Sequence, residues 1–214
     1  MNKILSSIVV AISVTAAPFA MANGDAVRGE TLAATCGACH GADGNSVLAT
    51  FPKLAGLGEK YIAKQLHDIK NGDRIVVEMT GLLTNLSDQD IADIAAFFNS
   101  KTTQLSGAKD IKVKVNSGEE ISALELGAKL YRGGNAAAGI PACTGCHSPR
   151  AQGNGPAGYP HLSGQHSDYI AKQLKDFRAG NRTNDGDARI MRSVTERMSD
   201  AEITALANFV AGLN

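Results

Sequence analysis

The sequence predicts an all-α protein built from two tandem copies of one small helical domain. Three observations predict it. Cys36-Gly37-Ala38-Cys39-His40 recurs as Cys143-Thr144-Gly145-Cys146-His147, and these two pentapeptides use all four cysteines of the 214-residue chain. Tyr61-Ile62-Ala63-Lys64-Gln65-Leu66 reappears unchanged as Tyr169-Ile170-Ala171-Lys172-Gln173-Leu174, an offset of 108 against 107 for the cysteine motifs. Within each copy the apolar residues recur at helical spacing, with no convincing period-two strand.

The elements follow in chain order. The first 22 residues read as a secretory signal: Lys3 in a short charged start, an apolar stretch from Ile4 to about Ala17, and Ala20-Met21-Ala22 as a cleavage site. An uncleaved membrane anchor is the alternative, for which the stretch is short and broken by Ser13, Thr15 and Pro18. The mature chain is expected to start near Asn23, in the bacterial periplasm. The first domain, 23–105, carries helices over Asp25 to about Cys39, Glu59 to Asn71 and Asp88 to Ser100. Gly72 stops the middle one, and Ser87 caps the last, which has acidic residues in its first turn. From Lys101 the periodicity lapses into Thr, Ser, Gly and alternating Lys and Val, and 106–117 is expected to link the copies, extended along one of them. The second domain, 118–214, repeats the helices over about Ala123 to Arg132, Ser167 to Ala179 and Asp200 to Ala211, the last capped by Ser199. It departs from the first in an insertion at Gly133 to Pro141 and in four extra residues between Arg182 and Met191.

C-x-x-C-H is the attachment motif of a c-type haem: both thiols add to the porphyrin vinyl groups and the adjacent imidazole takes the iron from one side. Cysteines three apart on a helical turn point to one face, and the next residue brings its ring over the same plane. Cys36, Cys39, Cys143 and Cys146 are therefore the expected thioether residues of two covalently bound haem c groups. A thioredoxin-like redox pair or two pairs gripping zinc are the rival readings, and neither requires a histidine directly after the second cysteine.

His40 and His147 supply one axial ligand each. Of the three methionines after the leader, Met79 lies eight residues before Ser87 and Met191 eight before Ser199, so the repeat pairs them as the sixth ligands. Met198 aligns instead with Leu86 and reads as a core side chain. His67, His161 and His166 align with Lys175, Lys53 and Gly58, so no histidine outside the motifs is shared by both copies. A bis-histidine second haem through His161 or His166 stays open as the alternative.

Composition narrows the function classes. Removal of Lys3 leaves 20 Lys and Arg against 21 Asp and Glu, which argues against a nucleic-acid binder. Tryptophan is absent and aromatic residues make up 5% of the chain, so part of each core is expected to be porphyrin. Each domain holds only about 90 to 100 residues, a size at which burial on folding is thin, so the haem-free chain is expected to fold poorly. No phosphate loop, flavin fingerprint or Ser/His/Asp order with supporting context is present. His/Met ligation leaves no open coordination position, and the soft thioether favours Fe(II). One-electron transfer without substrate binding at the metal is the expected reaction, and a di-haem peroxidase or the haem subunit of a flavoprotein dehydrogenase are the alternatives.

The order helix, C-x-x-C-H, P-x-L-x-G, helix, methionine, terminal helix resembles class I cytochrome c, and the tandem arrangement resembles the di-haem cytochrome c4 family over essentially the whole mature chain. Phe51-Pro52-Lys53-Leu54-Ala55-Gly56, Tyr61 to Leu66 and Asn181-Arg182-Thr183-Asn184-Asp185-Gly186 carry the match. The resemblance implies a periplasmic electron carrier, not an enzyme. It would take electrons from a quinol-oxidising complex or another respiratory donor and deliver them to a haem-copper terminal oxidase, with loose membrane association left open. It also implies that the carbonyls of Pro52 and Pro160 accept the Nδ1 hydrogens of His40 and His147, and that Phe97 and Phe209 pack on the first helix of their copies.

Overall fold

A computed structural model describes residues 24–214; the expected signal segment, 1–22, lies outside the described residues. In the first copy, Asp25 caps α1 (Ala26–Leu32) by accepting from the amides of Val27 and Arg28 at 2.9 and 3.2 Å. The expected single helix to Cys39 is interrupted by a 3-10 turn, Ala33–Thr35, before the short α2 (Gly37–His40). α3 (Glu59–Asn71) ends on Gly72, whose left-handed backbone a side chain would strain. α4 (Asp88–Asn99) starts in a reciprocal capping box between Ser87 and Asp90. The second copy repeats the order with α5 (Ala123–Gly133), α6 (Thr144–His147), α7 (Ser167–Ala179), α8 (Ile190–Thr195) and α9 (Asp200–Gly212).

The first and last helices of each copy cross with their backbones in contact, and one glycine permits it in each. A Cβ on Gly29 would lie 2.0 Å from the Asp93 carbonyl oxygen, and one on Gly127 would lie 2.3 Å from that of Ala205. The same constructed atoms fall 2.9 Å from Phe97 Cβ and 2.6 Å from Phe209 Cβ, so the two terminal-helix aromatics do sit against the first helix of their copies. Ile62, Leu66, Ile91, Ile94, Phe97 and Phe98 fill one core; Leu130, Tyr131, Ile170, Leu174, Met198, Ile203 and Leu206 fill the other.

The absence of strands expected from the sequence needs one correction. Lys112–Lys114 (β1) pairs antiparallel with Glu120–Ser122 (β2), Val113 opposite Ile121. The alternating Lys and Val read as linker composition is the edge of this hairpin: Val113 turns inward onto Ala123 and Ala205 while Lys112 and Lys114 face solvent. Upstream of it the chain runs along α9, with Asn208 accepting from the Lys109 amide (2.8 Å) and donating to the Lys109 carbonyl (2.9 Å).

The unchanged hexapeptides face each other across the seam between the copies, joined by two arginines at the same repeat position. Arg74 donates to Gln65 of its own copy (2.8 Å) and to Tyr169 and Gln173 of the other (3.1 and 3.0 Å). Arg182 donates to its own Gln173 (2.7 Å) and to Tyr61 and Gln65 across the seam (3.1 and 2.8 Å). Exchanging the copies maps one set of bonds onto the other, which gives a physical reason for two identical stretches: each must complement itself. Among the described residues no helix is long and apolar enough to cross a membrane.

Candidate haem sites

Each C-x-x-C-H turn is a single helical turn ending in its histidine, and both imidazoles are buried, His40 at 8% and His147 at 7% exposure. Nδ1–H of His40 donates to the Pro52 carbonyl at 2.9 Å and that of His147 to the Pro160 carbonyl at 3.0 Å, the two bonds the resemblance implied. These bonds set the tautomer and aim Nε2, which has no protein partner among the described residues, away from the loop. Burial lowers the pKa of both rings, opposed by the proline carbonyls, and so favours the neutral form that can ligate a metal.

The P-x-L-x-G loops that carry these carbonyls are tied to the terminal helices. Gly56 donates to Phe98 O at 2.9 Å and Gly164 to Val210 O at 3.2 Å, and both glycines have positive φ. None of the four cysteines forms a disulfide. Burial raises the thiol pKa of Cys36 and pushes that of Cys143 up to about 11, the reverse of the depressed value a redox-active dithiol needs. Among the described residues no three His, Cys, Asp or Glu side chains converge to hold a metal ion, so the two motifs do not combine into a zinc site. The donor set fits a covalent haem at each turn: two unpaired thiols and a neutral imidazole with its free nitrogen oriented.

Met79 and Met191 are partly buried and flank the same cores as Cys36 and Cys143 respectively. Met198 is 3% exposed inside the second core, and Leu86 packs at the equivalent place in the first. The other histidines are engaged elsewhere. His166 donates from Nε2 to the Ser46 carbonyl (2.9 Å) and accepts at Nδ1 from Ser106 Oγ (3.1 Å), and His67 stands at the surface 3.8 Å from Asp88. The His161 ring bonds to the Gly56 backbone across the seam, which partly offsets the lowering of its pKa by burial.

Two groups escaped the sequence reading. Tyr131, fully buried, donates its hydroxyl to the Ser148 carbonyl at 2.6 Å and holds the turn after His147. Arg74 and Arg182 share the 108 offset of the hexapeptides, the signal that could have revealed them.

Comparison with known proteins agrees with this geometry. The cytochrome c family model matches residues 26–102 and again 124–214. Cytochrome c4 of Pseudomonas aeruginosa is 53% identical over the full length of both chains. The crystal structure of reduced recombinant cytochrome c4 from Pseudomonas stutzeri superposes with a TM-score of 0.82 at 50% identity, covering 89% of this chain and 100% of that one. A protein of Stutzerimonas stutzeri named thiosulfate dehydrogenase electron acceptor is 35% identical over 85% of this chain and 80% of its own. With two matched domains and a relative this similar along its whole length, the chain belongs to the cytochrome c4 family, electron-transfer proteins rather than enzymes, and carries haem c bound covalently in each of two cytochrome c domains.

Proposed function

We propose that Cys36, Cys39, His40 and Met79 would hold the first haem, and Cys143, Cys146, His147 and Met191 the second. The domains span 23–105 and 118–214, and the protein is a periplasmic carrier passing single electrons from a quinol-oxidising complex or another respiratory donor to a haem-copper terminal oxidase. The observation that carries the reading is the pair of buried histidines with Nδ1 bonded to a proline carbonyl and Nε2 left free, each directly after the second cysteine of its motif, in a domain whose core is flanked by a methionine at the same repeat position. When bound, the haem supplies a one-electron Fe(III)/Fe(II) couple. The chain's own residues would serve that couple: the proline carbonyls would hold the imidazoles in one orientation, the helix crossings at Gly29 and Gly127 would keep each core rigid, and the methionine thioethers would favour Fe(II).

Spectroelectrochemical titration of the holoprotein and of Met79→Ala and Met191→Ala tests it. Each variant is expected to lose one methionine-to-iron absorption band, lower one potential and admit exogenous ligands at one haem. A Met198→Ala protein that loses the band instead would overturn the assignment. Membranes containing a haem-copper oxidase are expected to reoxidise the reduced protein, at a rate that falls or rises with ionic strength while the spectrum stays constant. A second reading is that the electrons come from a soluble dehydrogenase. The relative named as an electron acceptor of thiosulfate dehydrogenase favours it, and reduction by such an enzyme in place of quinol-oxidising membranes would decide for it.

A further inference from the structure

We propose that the second domain's methionine is positioned through the seam: Asn184, Asp185 and Arg192 are positioning residues for Met191, and Gln65 and Asp68 of the first domain hold them in place. The inference rests on the reading of Met191 as the sixth ligand of the second haem. It starts from the four extra residues between Arg182 and Met191, which have no counterpart between Arg74 and Met79.

Those residues reach the other domain. Asn184 donates from Nδ2 to Gln65 Oε1 (2.9 Å) and to Asp68 Oδ2 (2.5 Å), and its carbonyl accepts from Lys64 Nζ (2.9 Å). All three partners lie on α3, and Arg182 beside them reaches Gln65 and Tyr61 as well. The next residue turns back. Asp185, its side chain 4% exposed, accepts from the amide of Arg192 (2.9 Å) and from Arg192 Nε (2.7 Å). The remaining arm of Arg192 donates to the carbonyls of Thr183 (3.3 Å) and Gly186 (3.2 Å), which closes the loop on itself. Arg192 follows Met191 directly, and Thr195 Oγ1 donates to the Met191 carbonyl at 2.9 Å within α8. A chain of polar bonds, with the Asn184–Asp185 backbone as one link, therefore runs from α3 of the first domain to both polar groups of the peptide bond that follows Met191.

The first copy has no such brace. Thr80 stands where Arg192 stands, and nothing matches Asp185. Met79 lies in a 3-10 turn, Val77–Met79, between exposed residues, and among the described residues no side chain of 75–82 bonds to the second domain. Docking of the domains thus bears on one methionine and not on the other. Coupling of this kind is reciprocal: whatever strengthens or weakens the bond at Met191 also biases the seam.

The test uses the holoprotein with Asp68→Ala, Asn184→Ala, Asp185→Ala and, as reference, Met191→Ala. Each of the first three is expected to weaken the methionine-to-iron band of the second haem, lower its midpoint potential and tighten its binding of added imidazole by about 5- to 150-fold. The first haem should keep its band, potential and imidazole affinity, even with Asp68→Ala, which lies in its own domain. Asp185→Asn, which keeps shape and loses charge, should fall between wild type and Asp185→Ala in all three readouts. If Met191→Ala leaves the second haem's band in place, the ligand reading fails. If Met191→Ala removes it while Asp68→Ala and Asn184→Ala leave the second haem unchanged, or shift the first haem instead, the coupling fails and the ligand reading stands. An Asp185→Ala protein that does not fold leaves the decision to Asp68→Ala and Asn184→Ala, both at partly exposed sites.

Discussion

The two copies make the same turn after the proximal histidine with different residues. In the first, Gly41 (φ 81°) follows His40 and Gly44 (φ 78°) accepts from the amides of Leu54 and Ala55. In the second, Ser148 (φ 67°) and Ala151 (φ 56°) hold those conformations, and Ala151 accepts the equivalent bonds from Leu162 and Ser163. The backbone is kept because it presents the proline carbonyl to the histidine. The side chains were free to change because the second copy has Tyr131 to clamp Ser148, where the first has the small Ala33 at the matching position. Strain at a functional loop is tolerated when the surroundings over-determine it. At the seam the reverse holds, and the residues themselves are identical, because there each copy is the other's environment.

The comparison breaks most severely at the helix crossings. Gly29→Ala and Gly127→Ala are expected to destabilise their own domain by roughly 3 kcal/mol, because the new methyl meets backbone that cannot move aside. Calorimetry of the holoprotein should show the altered domain unfolding first, separated from a joint transition. Next comes the seam. Arg182, 8% exposed, lies 4.4 Å from the centroid of the Phe177 ring and bonds to both copies, so Arg182→Ala should cost about 2 to 3 kcal/mol. The more exposed Arg74→Ala should cost about 1 to 2 kcal/mol. Either should split a joint unfolding transition into two, and a larger loss from Arg74 than from Arg182 would contradict the asymmetry.

Exchanging the turn residues sharpens the comparison. Ser148→Gly should stabilise the second domain by about 1 kcal/mol, since a β-carbon is removed from a glycine-type conformation. Gly41→Ser should destabilise the first by about 1 to 2 kcal/mol, because the first copy has no tyrosine clamp and the added Cβ falls 2.9 Å from Asn45 O. Denaturant midpoints of the two domains would show opposite shifts.

The smallest effect is electrostatic. The Ser87 hydroxyl and amide, then Arg28, hold the Asp90 carboxyl down at about 2. Its folded value lies below the unfolded one, so its contribution is fully present above about pH 4 and disappears as the pH falls toward 2. Asp90→Asn should flatten the pH dependence of the first domain's stability in that window alone, read by circular dichroism during acid titration.

Helices α3, α4, α7 and α9 were legible almost to the residue, because each begins at a capping residue or ends at a glycine that acts within one turn of chain. The hairpin was not, since three residues of Lys-Val-Lys carry too short an alternation to distinguish a strand from a polar linker, and the burial of Val113 needs Ala205 of α9, far along the chain, as well as the nearby Ala123. The two C-x-x-C-H turns were legible because the motif is five consecutive residues, and the repeat alone pairs Met79 with Met191, the ligands proposed above. The arginine pair was not, because its partners lie about 100 residues away on a surface that exists only once both copies have folded.

The sequence by itself determined the local chemistry: two haem motifs, paired methionines, capped helices and a duplication, all set by short-range spacing that no packing is needed to read. Tertiary structure alone decided which glycines allow the helices to touch, how two arginines join the copies, and how the loop before Met191 is tied to the opposite domain. Each of those depends on two distant stretches arriving at one place. The free energy that brings them there comes from burying both cores and the seam together, and spacing along one chain does not record it.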